Sequence, residues 1–331
     1  VVEYAPDRRR GFWTSFLDMS SYIGFATAAA LATIVELMLT PEQMLDFGWR
    51  ICFWAALPLG IIGLVLRTRV KESSTFEAAK EHNAELQQEK RGSLKTICKE
   101  YWPQLLIGSA LVMCAQVTGF IFATYMPSYL TDNLGYATLH GNILLIPIFL
   151  LVAACLPFFG LLSDKVGRKT LMLTGAILGL ILDIPAFWLM MLGHVWTTLI
   201  GLFLMSLVLM FQISVQPSAL PSLFPTHHRY AAMALMFNLS ATLLGATAGS
   251  VVTVLESWWH TNYAGAYYMM FACVIGIIGL TFYKESAGRN LLGSFPSVAS
   301  EEEASELVRT QFENPKLDTT TMPIATVRPR S

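Results

Sequence analysis

Long apolar stretches alternate with short polar ones along the chain. Eight of them, at residues 18–39, 49–66, 104–130, 141–162, 170–192, 195–220, 231–255 and 266–283, approach the ~20 residues needed to cross ~30 Å of hydrocarbon. Two, spanning 102–131 and 231–255, hold no formal charge. The alternation of a membrane barrel is absent. Lipid offers no partner to an open backbone, so the pattern predicts helices. Pro58, Pro127, Pro147, Pro157, Pro185 and Pro217 fall inside these stretches and predict kinks that bundled neighbours accommodate. The expected fold class is an all-α membrane protein.

Composition agrees. The 331 residues are 54% hydrophobic and 14% charged, against ~45–50% and ~25% in soluble domains. This excludes an ordinary soluble enzyme and, for most of the chain, intrinsic disorder. A net charge of −1 gives no case for a nucleic-acid partner. The five cysteines are scattered with no C-x-x-C, and read as small apolar residues rather than a disulfide or metal framework. No zinc, Walker or hydrolase motif occurs and no histidine lies mid-span, so neither an enzyme nor an ATP-driven pump is expected, and no cofactor or metal.

Charge gives the topology. Of the 22 lysines and arginines, 21 lie in alternate segments beginning with the N-terminal one; the exception is Arg50. Basic loops stay inside, which predicts both termini and the 67–103 segment in the cytoplasm. Trp13, Trp49, Trp102, Trp196, Trp258 and Trp259 lie near span ends, as an aromatic belt requires. Four regions follow: 1–66 with two spans, a charged, helix-forming central loop over 67–103 (including Phe76 to Lys90), a six-helix bundle over 104–283, and a cytoplasmic, mostly disordered tail over 284–331.

The loop after the fourth span reads Gly160-Leu-Leu-Ser-Asp164-Lys-Val-Gly167-Arg168-Lys169. Gly167 suits a turn needing positive φ. Asp164 can face a helix N-terminus or an arginine, and Arg168 and Lys169 can hold carboxylates or helix C-termini. With Asp164 and Arg168 paired beside a glycine turn, the 160–169 loop is expected to act as a gating loop, a conformational latch; the other reading is a plain positive anchor. This loop resembles the signature cytoplasmic loop of the major facilitator superfamily, in its second-half copy. Pro6-Asp-Arg-Arg-Arg-Gly11 resembles the lead into that superfamily's fifth helix. Trp49-Arg50 with Leu57-Pro-Leu-Gly60 resembles its sixth helix, and Phe224-Pro-Thr-His-His-Arg229-Tyr230 the loop between the tenth and eleventh. Ser15-Phe-Leu-Asp18-Met-Ser20, Thr124-Tyr125-Met-Pro-Ser-Tyr-Leu130 and Lys284-Glu-Ser-Ala-Gly-Arg289 narrow this to the metabolite:H⁺ symporter family, most like its bacterial proline/betaine transporters.

The resemblance, over roughly residues 3–295, implies an incomplete facilitator bundle. The eight spans correspond to helices five to twelve, and helices one to four have no counterpart. It also implies a bacterial inner-membrane location and proton-driven symport of a compatible solute such as proline or betaine, or of an organic acid, by a truncated chain. The acidic residues of the early helices that the family associates with proton coupling have no match here, nor does the heptad coiled coil of some relatives' tails. A non-transporting membrane fragment or interaction protein is the alternative.

Mid-span carboxylates cost ~2.5–3.5 kcal/mol on insertion scales. Asp18 is either a path residue or an interfacial cap. Glu36 shares an i+4 line with Gly24, Ala28 and Ala32, a stripe for close packing; it either packs there or snorkels. Glu256 reads as interfacial. Asp183, inside the fifth span, is expected to face a cavity or polar partner or to be protonated. The family pattern is apolar there, so Asp183 can also mark a different substrate. Gln116, Gln212, Gln216 and Asn238 (with Thr242, Gly245 and Gly249) can line a central path or hydrogen-bond between helices. Phe120, Tyr125 and Phe211 offer aromatic faces to a cationic solute, or simply pack. Gly245-x-x-x-Gly249 reads as a helix contact.

Overall fold

Among the described residues, eight helices long and apolar enough to cross a membrane run over Asp7–Met38, Pro41–Leu66, Trp102–Asn133, His140–Val166, Arg168–Met191, Val195–Leu223, His228–Trp259 and Ala264–Phe282. They are called the first to eighth spans below. The structure, a computed structural model, describes residues 2, 5–69, 94–289, 291, 297–298, 301–309 and 325–326. The helical run expected over Phe76 to Lys90 lies outside these. The end of the central loop forms a short helix, Leu94–Glu100, whose Ile97 is fully buried.

Spans three to eight share one core. Phe122, Met126 and Tyr129 of the third meet Phe187 and Met190 of the fifth, Met205 and Leu209 of the sixth, and Met269 of the eighth. Rings interlock edge-on, with Tyr129 and Phe187 at 5.2 Å and Phe159 and Phe211 at 4.8 Å between centroids. Lipid tails are as apolar as leucine, so van der Waals fit rather than water exclusion favours this contact.

The first span joins this core. It packs lengthwise on the fourth, and Tyr22 and Ala26 belong to the common core. Its buried face is Gly11, Ser15, Tyr22, Ala26 and Thr33. This corrects the expected packing stripe. A Cβ on Gly24 would meet nothing within 4 Å, and Ala28 is exposed. Small residues permit close approach, but the partner decides which small-residue line is used. The second span packs chiefly against the first, and none of its apolar window is buried.

Of the six prolines expected to kink spans, Pro58, Pro147, Pro157 and Pro185 lie inside continuous helices, and the backbone irregularities fall elsewhere or at Pro127 and Pro217. Gly167, with φ +104°, separates two helices, Thr138–Val166 and Arg168–Met191. The expected ten-residue hairpin is thus two helix ends around a single residue. The sixth span breaks before Pro217, ending one helix at Ile213 and starting another at Gln216. The third span carries two π-helical turns, Ile121–Tyr125 and Tyr129–Asn133, on either side of Met126–Ser128 with its Pro127. The seventh carries one, Ala241–Gly245.

Beyond the eighth span, short parts of the segment expected to be mostly disordered have regular structure. Residues Ser297–Val298 pair in parallel with Ala325–Thr326, the only strand pair among the described residues. A helix runs over Glu301–Arg309. Arg309 lies in its last turn, at the negative end of the helix dipole. Glu306 reaches Arg8 at 2.9 Å.

Candidate functional site

The signature segment is a junction of four helix ends. Asp164 ends the fourth span, and its carboxylate caps the start of the first: Gly11 N–H donates to Oδ1 at 2.8 Å and Phe12 N–H to Oδ2 at 3.0 Å. The first-turn N–H groups of a helix have no partner within it and attract an anion. The two helices come close enough because both residues at the crossing are glycine. A Cβ on Gly160 would lie 2.6 Å from the Gly11 carbonyl oxygen.

Arg168 is fully buried. Its Nη2 lies 3.7 Å from Asp164 Oδ1, while Nη1 donates to Ser218 O at 3.0 Å and to Ser286 O and Oγ at 3.2 and 3.0 Å. One guanidinium therefore joins the ends of spans four, six and eight. Lys169 Nζ donates to Tyr283 O at 2.9 Å, at the C-terminus of the eighth span, where a cation is favoured.

The sequence reading missed Glu285 as a site residue. Its carboxylate accepts from Arg168 N–H at 3.0 Å and Lys169 N–H at 2.9 Å, capping the fifth span, and from Ser286 and Ala287 N–H, both at 2.8 Å. Burial opposes its ionisation, but these backbone donors outweigh burial and hold the carboxyl below its usual value. The signal was present in the Lys284-Glu-Ser motif, directly after the last apolar run, but nothing in the sequence names its partner. Arg10, also buried, pairs with Asp7 and donates to Arg289 O at 3.0 Å.

The candidate path residues separate into groups. Gln116 and Phe120, one turn apart on the third span, lie against Gly245, where a Cβ would come 2.7 Å from the Phe120 ring. Asn238 is exposed on the same span as Gly245 and bonds only its own helix, to Ala234 O at 2.7 Å. A Cβ on Gly249 would meet nothing within 4 Å. Gln212 and Gln216 are buried and turned into the bundle. Gln212 Nε2 donates to Cys273 Sγ at 3.6 Å, and Gln216 Nε2 to Leu111 O at 2.9 Å. Asp183 is fully buried beside Cys273, and neither carboxyl oxygen has a hydrogen-bond partner among the described residues. It thus faces the bundle interior. Asp18 is half-buried near Tyr22, and its Oδ2 has no hydrogen-bond partner among the described residues. Tyr125 is buried, and its hydroxyl donates to Glu256. Glu256, read as interfacial, is therefore a bridge to the third span.

Comparison with known proteins places this geometry. The sequence profile described as Major Facilitator Superfamily matches residues 1–250. The ectoine/proline transporter ProP of Corynebacterium glutamicum is 38% identical over 98% of this chain and 66% of its own length. The proline/betaine transporter of Escherichia coli K12 is 38% identical over 95% of this chain and 64% of its own. The glycine betaine/proline/ectoine/pipecolic acid transporter OusA of Dickeya dadantii is 36% identical with the same coverage. The chain thus spans just under two thirds of the length of these relatives. A solved structure of the proton:xylose symporter XylE, bound to 6-bromo-6-deoxy-D-glucose, superimposes with a TM-score of 0.64 at 18% identity, over 88% of this chain and 67% of that one. The fold, the profile and the relatives agree: the chain belongs to the major facilitator superfamily.

Proposed function

We propose that this chain supplies the fifth to twelfth helices of a secondary carrier for a small compatible solute such as proline or betaine, coupled to a proton gradient. The observation that carries this is the Asp164 cap on Gly11 and Phe12. It joins the first span, which corresponds to the superfamily's first half, to the fourth, in its second half. A cap made of two backbone hydrogen bonds is broken or formed as a unit when two helix ends move apart. It therefore suits alternating access by rocking of the two halves. The relatives, transporters of proline, betaine and ectoine, support the solute class, and the charge alternation supports the latch end as cytoplasmic, with both termini on that side of a bacterial inner membrane. Gln116, Phe120 and Asn238 would face the path, with Asp18 toward its cytoplasmic end.

The test joins the chain to the first four helices of the Escherichia coli relative and measures uptake by cells lacking their own compatible-solute carriers. Proline, betaine, shikimate and 2-oxoglutarate are offered in turn. Saturable uptake of proline or betaine that collapses with a protonophore is expected. A chimera present in the membrane that takes up none of the four overturns the reading, and uptake of only an organic acid reassigns the substrate.

A further inference from the structure

At the end of the bundle opposite the latch, one carboxylate oxygen holds two weak points of the third span. Glu256, half-buried on the helix Ala248–Trp259 of the seventh span, accepts on Oε1 from the Tyr125 hydroxyl and from Asn133 Nδ2, the latter at 3.2 Å. Tyr125 is the last residue of the first π-helical turn, and Asn133 the last of the second. A π turn inserts a residue into the helical ladder and is tolerated mainly where function uses it. With Pro127 between the two turns, the segment 121–133 has a ladder disturbed twice and a missing N–H donor. It has little means of holding its own course.

What holds it is lateral. Tyr129 packs on Tyr125 at 5.7 Å and on Phe187 at 5.2 Å, and its hydroxyl donates to Asn262 O at 3.5 Å. Glu256 supplies the charged contacts, and hydrogen bonds to a charged acceptor are worth about twice neutral ones. The seventh span has its own π turn, Ala241–Gly245, against which Phe120 lies. Between that point and Glu256 the two arms pack side by side, the helix Ala248–Trp259 lying on the turn Ile121–Tyr125, and Glu256 adds the polar contacts at their far end.

We propose that Glu256 is a positioning residue that clamps segment 121–133 onto the seventh span and fixes the Tyr125 ring. Release of this clamp loosens the backbone of segment 121–133, whose Phe122, Met126 and Tyr129 stay packed in the common core. Its bearing on solute passage rests on the carrier reading above, but the clamp is tested without any transport.

Hydrogen exchange of the chain in lipid nanodiscs, followed by mass spectrometry, tests it directly. Glu256→Ala is expected to speed exchange in 121–133 by about tenfold or more, with spans four and eight unchanged. Glu256→Gln keeps an acceptor oxygen in place and is expected to restore most of the protection. Tyr125→Phe is expected to speed exchange in the same segment less, and to add little on top of Glu256→Ala. Unchanged exchange in Glu256→Ala, or a Gln variant as fast as the Ala variant, overturns the clamp. Loss of protection in every span would mean that Glu256→Ala fails to fold. The Tyr125→Phe result then decides: local acceleration supports the clamp and no change overturns it. Failure of the carrier reading would appear only in the uptake assay and leave these rates as they are.

Discussion

Asp164 Oδ1 and the Gly11 N–H meet at 2.8 Å across 153 positions of sequence. With Phe12 N–H on the other oxygen, the contact gives the first helix the cap its own sequence lacks. No side chain caps this helix from its N-cap position, Arg9. Asp164→Asn keeps one acceptor oxygen, loses the second, and loses its attraction to Arg168. A loss of about 1–3 kcal/mol is expected, read as a lower unfolding midpoint in detergent. In the chimera, uptake should fall while membrane abundance stays near normal. Unchanged stability and uptake in both Asp164→Asn and Arg168→Ala would reduce the segment to a charged anchor.

Glycine at 160 is required by approach, and at 24 it is not. A Cβ on Gly160 would sit 2.6 Å from a backbone oxygen that cannot swing away, whereas at Gly24 it would meet nothing within 4 Å. Gly160→Val should cost about 1–3 kcal/mol by forcing the first and fourth spans apart. Gly24→Ala should be neutral or slightly stabilising, since alanine is the better helix former. Equal effects of the two in a thermal-shift assay would contradict the crossing.

These glycines mark what the sequence could show. Span number and type were legible because ~20 apolar residues have few other uses. The signature segment was legible because Asp, Gly and Arg at that spacing suit a capped helix junction. Partners were not. The line of Gly24, Ala28 and Ala32 looks as good for packing as the face with Gly11 and Ser15, and only the neighbouring helix distinguishes them. Gln212 and Gln216 are polar in the sequence whichever way they point, and in the fold both turn to neighbouring helices. Glu256 stands at a span end, where an interfacial reading is the default, and its bond to Tyr125 depends on a π turn that the sequence does not announce.

Glu285 gives a pH dependence with a defined sign. Its carboxyl is held below the ordinary value of 4.5, so its contribution is complete above that value and is lost as the pH falls through the lowered one. Glu285→Gln removes the charge at every pH. The wild-type advantage over this variant should therefore be full at about pH 7 and shrink at about pH 3.5. An advantage that grows on acidification would refute the assignment. Exposure of the carboxylate keeps the effect modest.

The charge split predicts both termini in the cytoplasm, and this is open to direct measurement. Single cysteines at Asn133 and Thr261, in a chain with its five native cysteines replaced, should react with an impermeant thiol reagent added outside cells. Reaction only after the cytoplasmic face is opened would invert the topology and place the Asp164 latch outside.

Residues 1–331 taken alone are expected not to accumulate solute. Rocking needs two walls around the path, and here one is in place. Spans three to eight pack on a common core, and the first span is fixed to them along the fourth. The second has none of its apolar window buried, with Phe53 71% and Trp54 77% exposed, and Asn238 is exposed and bonds its own helix. In lipid such faces lose packing and interhelical hydrogen bonds rather than hydrophobic burial, so the chain can insert and keep its fold without enclosing a site. Purified chain in proteoliposomes with an imposed proton gradient should show no saturable uptake of proline or betaine, while the four-helix chimera does. Uptake by the chain alone at a rate near that of the Escherichia coli relative would require a second copy to form the other wall, and cross-linking between copies at Phe53 would then locate it.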